Sequence, residues 1–437
     1  MAHFALITLP LFSHLRVFEA VAEELVSRGH RASFVLPEGA GRHLSKDLPE
    51  GVGLIEYGAE GPSAGLAERM VDAASRDGPL ALFRTIAVGA EATGALSRCA
   101  PRLLDRLGCD AVIGDQTEPA AGLIAEALGL PLLSLAAALP MHRDESVPLP
   151  FLGWRYDPSD EGLGRNRGGE LVARRLLKHQ GRAIETACRE LGLPIRSELA
   201  DCLSTSAQVS QLVEAFDFPR GYSSIRHGVG PIRRRWRPAA TAPAPIVLPE
   251  HSAGRPVVYV SLGTLQGHRH RLLKSIVAAA RDLGAATIVA HCGRLTERQA
   301  ASLEADHVAD FVDQASALSL ADVCVTHAGM NTVLDALRDG KPLLALPIAF
   351  DQPGIAARIV HHGVGLKLPR VLLSRRKLAR ALEALLCEDS YRKAAGRMAG
   401  PIRASGGAVM AADIAEAALS GSSRWQNKET SLQGLVA

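Results

Sequence analysis

Short apolar runs alternate with segments whose apolar positions fall at helical spacing, and the alternation occurs twice along the chain, with a break between. Phe4 to Leu9 is such a run; a turn at Pro10 and Ser13 follows, then Phe18, Val21, Ala22, Leu25 and Val26 on one helical face, a stop at Gly29, and a second run from Ala32 to Leu36. Strand, helix and strand in that order make a crossover unit. The unit recurs as Ala111 to Gly114, Glu118 to Leu128 and Pro131 to Ala137. Periodicity then breaks at Arg233 to Pro249, where four arginines (Arg233, Arg234, Arg235, Arg237) precede a stretch rich in Pro and Ala. Beyond it come Val257 to Leu262, Leu272 to Leu283, Ala286 to His291, Asp310 to Val312, Asp322 to Thr326, Asn331 to Arg338, Pro342 to Pro347 and Ile355 to His361. The expected fold class is α/β: two doubly wound parallel-sheet, Rossmann-like domains at 1–232 and 256–420, a linker at 233–255, and a polar, aperiodic tail at 421–437. Such sheets bind ligands outside their strands' carboxyl ends, so a cleft between the two is the default site.

Composition narrows the function. With 437 residues, 47% hydrophobic and 22% charged, the chain is ordinary globular protein with enough apolar material for two cores. A net charge of +3 and 4% aromatic residues give little support to nucleic acid binding. Seven cysteines without a C-x-x-C pair argue against a disulfide framework or a zinc site and suit a reducing cytoplasm. Met1 to Pro10 does not read as a signal peptide, and the longest apolar candidate, Leu130 to Met141, is too short to span a bilayer.

Three constellations carry chemistry. Thr326-His327-Ala328-Gly329-Met330-Asn331-Thr332 lies between an apolar strand and a helix, where backbone N–H groups and small polar side chains form an anion site; simple N-capping by Asn or Thr is the plainer alternative. Asp335, one helical turn on, offers a carboxylate for ribose hydroxyls or is merely solvated. Asp351-Gln352, after the Leu343 to Pro347 run, pairs a carboxylate with an amide suited to vicinal sugar hydroxyls, or else Asp351 caps the helix opening at Pro353-Gly354. His14 follows the first strand and Asp115 ends another; if those strands are neighbours, the carboxylate holds the imidazole as a general base.

These segments, with Ser261-Leu262-Gly263-Thr264 and Phe311-Val312-Asp313-Gln314, resemble the UDP-glycosyltransferase family of two-domain GT-B enzymes from the amino terminus to about Leu419. Ser261 to Arg269, Ala290 to Thr296, Gly329 to Asp335 and Ala349 to Ile359 are similar to the carotenoid-modifying branch of that family. The resemblance implies an acceptor-binding first domain and a donor-binding second. It makes His14 the base and Asp115 its orienting carboxylate. Phe311 would stack on uracil, Gln314 and Asp335 would contact ribose, and Thr264, His327, Gly329, Asn331 and Thr332 would hold the diphosphate. Asp351 and Gln352 would take the glucose hydroxyls. Plant members usually carry Trp where Phe311 and Met330 stand.

The implied reaction is inverting glucosyl transfer from UDP-glucose to a hydroxyl of a hydrophobic acceptor, a carotenoid first and a macrolide or other natural-product aglycone second. No D-x-D occurs, so neither a metal nor any cofactor besides the donor substrate is expected. Two other classes compete. Gly61-Pro62-Ser63-Ala64-Gly65 matches a hydrolase nucleophile elbow, but no strand runs directly into its serine. A non-catalytic GT-B partner protein would be expected to lack residues that stand here at His14, Asp115, His327, Asp351 and Gln352. Leu133 to Met141 with Pro148 to Trp154 is a candidate acceptor tunnel, or core. The run Arg233 to Arg237, with Trp236, is either a peripheral contact with an anionic membrane or a solvated linker. The sequence carries no sign of oligomeric state.

Overall fold

A computed structural model describes residues 1–58, 63–76, 78–235, 245–371 and 373–421. Among them, β1 (His3–Ile7), β2 (Arg31–Pro37), β3 (Val52–Tyr57), β4 (Ala111–Asp115), β5 (Leu132–Ala136), β6 (Gln208–Ser210) and β7 (Arg226–Gly228) form one sheet in the order β3-β2-β1-β4-β5-β6-β7. A second sheet contains β8 (Val257–Ser261), β9 (Ala286–Ala290), β10 (His307–Ala309), β11 (Val323–Thr326), β12 (Leu343–Ala345) and β13 (Gly365–Lys367), in the order β10-β9-β8-β11-β12-β13. Every pairing is parallel. The central strands β1, β4, β8 and β9 are buried along their whole length, because helices cover both faces of each sheet.

The strand order reverses between β1 and β4 in the first sheet and between β8 and β11 in the second. The loops leaving those strands part to opposite faces there and open a crevice. His14 and Asp115 follow β1 and end β4; Thr264 and His327 follow β8 and β11. The candidate residues therefore sit at the two switch points.

Two features depart from the sequence reading. Asp310 to Val312 is not a strand: β10 pairs with β9 three residues earlier, His307 against Ile288, and Asp310 to Val312 form the loop beyond it. The displacement carries Phe311 out of the sheet to the cleft. The helix Gly407–Ser420, counted with the second domain from its position in the chain, packs instead on the first. Its Ala408, Ala411, Ala412, Ala415 and Leu419 join the core of Val17, Phe18 and Val21. A face of alanines allows that close approach, and Arg28 pins it through Asp413 and Glu416, both at 2.7 Å. The polypeptide thus crosses between the domains a second time.

Candidate active site

Between the sheets lies a cavity of about 1560 Å³ lined from both domains. On the first domain's wall, the helix Phe12–Ser27 begins immediately after the β1 loop and carries His14 in its first turn. His14 Nδ1 lies 2.6 Å from Asp115 Oδ2. Thr8 donates to the same oxygen at 2.9 Å, and Thr117 donates to Oδ1 through its hydroxyl at 2.6 Å and its backbone N–H at 3.0 Å. Four donors thus converge on a buried carboxylate. Burial opposes its charge, but the His14 ring and the His14 and Thr117 hydrogen bonds hold the Asp115 pKa below the ordinary value. Burial opposes the charge on His14 too, yet the Asp115 carboxylate, with a smaller contribution from Asp351, raises its pKa above 6.5. With Nδ1–H committed to Asp115, Nε2 carries the lone pair.

On the opposite wall, the helix Met330–Arg338 follows β11, with Gly329 at its N-cap position and no side chain capping it. Asn331 and Thr332, candidates for that cap, are used elsewhere. Asn331 Nδ2 donates to the Ser13 carbonyl across the cleft at 3.3 Å, and Thr332 donates to Gln314 Oε1 at 3.3 Å. The first N–H groups of the helix are left for an anion. His327 packs beside them against the β8 loop, where a Cβ added at Gly263 or Gly329 would lie 2.5 Å from its ring. Burial pushes the His327 pKa down to about 4, partly offset by the Ser261 carbonyl, so the ring is neutral at pH 7. Ala328, between the histidine and the glycine, has φ 68°. That left-handed backbone is costly for alanine and turns the loop toward the cleft.

The second wall also carries Asp351 and Gln352 at the start of the helix Gln352–His361. Asp351 makes no capping bond; its Oδ2 accepts from Leu139 N of the other domain at 2.9 Å. Burial raises its pKa. Gln352 Oε1 accepts from Ile348 N at 2.8 Å and Ala349 N at 2.9 Å, bracing a loop that includes Phe350 at φ 55°. Its amide nitrogen is the group left to donate. Asp335 is not solvated: Gln314 Nε2 donates to it at 2.6 Å and Arg233 pairs with it at 3.0 Å. Thr264 lines the cavity from the short turn Gly263–Gln266, and Phe311 faces Phe12 of the first domain with ring centroids 6.4 Å apart.

Arg233, which lines the cavity, and Gln211, bonded to it, tie this wall to the first domain, and nothing in the sequence assigns either a site role. Arg233 also donates to Gln211 Oε1 at 2.6 Å and to the Asn331 carbonyl at 3.0 Å, and Gln211 donates to Asn331 Oδ1 at 3.0 Å. Arg234 is nearly buried between Glu23 (2.6 Å) and Asp47 (2.8 Å), and Arg235 reaches Glu24 at 3.5 Å. The run read as a membrane-facing patch or solvated linker is therefore, at Arg233 and Arg234, an interior ion-pair seam. Trp236 and Arg237 lie outside the described residues, as do Gly61 and Pro62 of the hydrolase-like motif and the tail beyond 421. Ser63 precedes the helix Leu66–Ser75 and does not end a strand.

Away from the polar residues the first domain's wall is apolar. Met70 and Ala74 from the helix Leu66–Ser75, Leu82 and Ile86 from Pro79–Arg106, and Leu176 from Asp160–Leu176 line it. None of these was singled out from the sequence; the available signal was Leu80-Ala81-Leu82-Phe83, an apolar run wider than one helical stripe. Of the proposed tunnel, Leu139, Met141, Pro150 and Phe151 line the cavity, whereas Leu133 to Ala136 are buried in β5. Trp154 packs instead beneath Arg165, 5.2 Å from its ring centre. Glu118 lines the same wall and accepts from Thr93 at 2.8 Å; burial pushes its pKa up to about 7. Among the described residues, no group of three His, Cys, Asp or Glu is arranged to hold a metal ion.

Known proteins resemble this chain in sequence and in fold. A family model for UDP-glucoronosyl and UDP-glucosyl transferase matches residues 208–400. A zeaxanthin glucosyltransferase from Pantoea ananas is 39% identical over 95% of this chain and 96% of its own length. Another, from Pseudescherichia vulneris, is 38% identical over 97% and 99%. Among solved structures, the kitacinnamycin glycotransferase superposes with a TM-score of 0.74 at 19% identity, over 96% of this chain and 99% of that one. The calicheamicin glycosyltransferase CalG4 gives 0.72 at 21%, over 96% and 98%, so the two-domain fold is that of GT-B glycosyltransferases.

Proposed function

Because the chain belongs to the UDP-glycosyltransferase family, we propose that it moves glucose from UDP-glucose to the hydroxyls of zeaxanthin, giving the mono- and diglucoside, with inversion and without a metal. The observation that carries this reading is the His14–Asp115 pair facing an uncapped helix start across one cavity whose acceptor wall is apolar. The relatives named for zeaxanthin favour that acceptor over a macrolide.

In this reading Phe311 stacks on uracil and Gln314 and Asp335 contact ribose, with Arg233 holding Asp335 in place. Thr264, His327, Gly329, Asn331 and Thr332 surround the diphosphate. Asp351 and Gln352 orient the glucose. His14 Nε2 takes the proton of the acceptor hydroxyl as its oxygen bonds to the anomeric carbon; the carbon–phosphate oxygen bond breaks on the opposite side, and UDP leaves with the electron pair. Attack from the far side turns an α-linked donor into a β-glucoside. The negative charge growing on the leaving diphosphate meets backbone N–H groups already in position, which is where preorganised donors lower a barrier. The chain has no D-x-D pair to bridge a metal to the phosphates. Turnover in excess EDTA should equal that in buffer; inhibition reversed by a divalent cation would refute the metal-free reading.

The pH profile follows from the dyad. Transfer needs His14 neutral, and Asp115 raises its pKa, so the acid limb of kcat/KM should lie above 6.5. Asp115→Asn removes the charge that favours imidazolium. It should shift that limb to lower pH while lowering the plateau about 10- to 100-fold by loosening the ring's orientation. A limb that stays in place would detach Asp115 from this role. The function itself is tested by incubating purified protein and UDP-glucose with hydroxylated carotenoids, macrolides and flavonoids. Zeaxanthin should give the highest kcat/KM; preference for a macrolide would change the acceptor, and no turnover of UDP-glucose with any of them would favour a non-catalytic partner.

A further inference from the structure

We propose that the mouth of the apolar half of the cavity is a docking surface for an anionic lipid bilayer, formed by the start of the helix Pro79–Arg106 and the junction of the helices Asp160–Leu176 and Lys178–Leu191. Leu80 is 83% exposed, Phe83 52%, Leu171 62% and Val172 60%. Isolated exposed apolar side chains are normal, but a cluster of them marks an interaction site. Leu82 and Leu176 connect this cluster to the interior, because both are exposed to solvent and both line the cavity.

Helix packing brings these segments together. Pro79–Arg106 and Lys178–Leu191 run side by side in the same direction, with Gln180 donating to Thr93 at 2.9 Å and Arg98 lying 3.9 Å from Glu190. The first two turns of Pro79–Arg106 therefore project past the start of the shorter helix, where Gly89 and Thr93 lie level with Gln180, and Leu82 from those turns shares the cavity wall with Leu176.

Charge selects the partner. Residues 78–90 and 171–184 contain four arginines and one lysine; of the acidic residues that border them, Asp77, Glu91, Glu170 and Glu185, Glu91 pairs with Arg69 and Glu185 with Arg189. Arg174 pairs with Glu198, but among the described residues Arg84, Arg175, Lys178 and Arg182 have no ion-pair partner, and all four are exposed. A water-soluble protein partner with an apolar patch has no need of this excess of unpaired cations at its rim. Apolar side chains that enter the acyl boundary, flanked by cations at the depth of anionic headgroups, match the interfacial requirements of a bilayer. The described residues include no helix long and apolar enough to cross a membrane, so the contact is peripheral. Its use rests on the proposed acceptor: a polyene diol dissolved in lipid would pass between Leu82 and Leu176 into the cleft without entering water.

The test separates docking from acceptor choice. Full-length protein is sedimented, without any acceptor, with vesicles containing phosphatidylglycerol and with vesicles of phosphatidylcholine alone. Binding to the first should be the stronger and should weaken as salt rises. The variant L80E/F83E/L171E/V172E should lose binding by about ten-fold or more. R175Q/K178Q/R182Q should lose about a hundred-fold at low salt and with it the preference for phosphatidylglycerol. Both variants should glucosylate detergent-dispersed zeaxanthin at the parent rate and vesicle-embedded zeaxanthin more slowly. Parent protein that does not sediment with anionic vesicles, or variants that bind as the parent does, would overturn the proposal and leave the patch to a protein partner or a second copy. Vesicle binding by a protein that fails to glucosylate detergent-dispersed zeaxanthin would overturn the acceptor reading alone.

Discussion

Replacing His14 with alanine should lower turnover about 100- to 10,000-fold, the range a positioned general base contributes, while UDP binds nearly as before. The expectation follows from placement. His14 belongs to the first domain and is held by Asp115 at 2.6 Å, whereas the helix start assigned to the diphosphate belongs to the second. A hydroxyl with a pKa far above neutrality cannot lose its proton to bulk water fast enough, so losing Nε2 removes the acceptor of that proton. In the proposed roles Asp115 acts through the ring, so H14A/D115N should be about as slow as H14A alone. Equal turnover in H14A and parent would remove the histidine from the chemistry; a collapse of UDP affinity would mean that the substitution had disturbed the donor wall instead.

The second large effect concerns the sugar. Asp351→Ala should lower kcat/KM for UDP-glucose about 10- to 140-fold, since a hydrogen bond to a charged acceptor is worth about 1.5–3 kcal/mol and about 1.4 kcal/mol is a factor of ten. Free UDP has no glucose, so its affinity should change little. Asp351 also accepts from Leu139 N, and losing that bond would disturb the first domain's wall. Asp351→Asn keeps an acceptor for Leu139 and serves as the control: a defect smaller than that of Asp351→Ala but still clear would assign the loss to the sugar. If Asn restores full activity, the carboxylate is an interdomain strut and the glucose hydroxyls bind elsewhere.

The sequence was most legible where burial imposes a simple pattern. Central parallel strands are covered on both faces and read as continuous apolar runs, and for that reason β1, β4, β8 and β11 were found together with the residues that follow them. Proximity was legible only through strand order: His14 and Asp115 are 101 positions apart and meet because β1 and β4 are neighbours. Short edge strands carry less signal: the apolar pattern points to Asp310 to Val312, whereas the strand is His307–Ala309. The loop part of the apolar wall, Leu139, Met141, Pro150 and Phe151, is legible, but its helical part is not, because the helices after β3 and β5 are amphipathic toward a cavity as well as a core and no local pattern distinguishes the two. Arg233 illustrates the same limit. A run of arginines looks solvated in one dimension, and nothing near it in the chain announces Asp335, 102 positions away. The alanine face of Gly407–Ser420 fits either sheet by composition, so its return to the first domain is a tertiary fact.

The proposed reaction is a single displacement at the anomeric carbon of UDP-glucose by a zeaxanthin hydroxyl, with His14 taking the proton. One reaction tests it most directly: purified protein, UDP-α-glucose and detergent-dispersed zeaxanthin, with UDP release measured and the anomeric proton coupling of the isolated product read by NMR. One UDP should appear for each glucose transferred, with a β-linked glucoside, and both signals should be lost together in H14A. An α-linked product, or UDP released as free glucose accumulates without any glucoside, would contradict it.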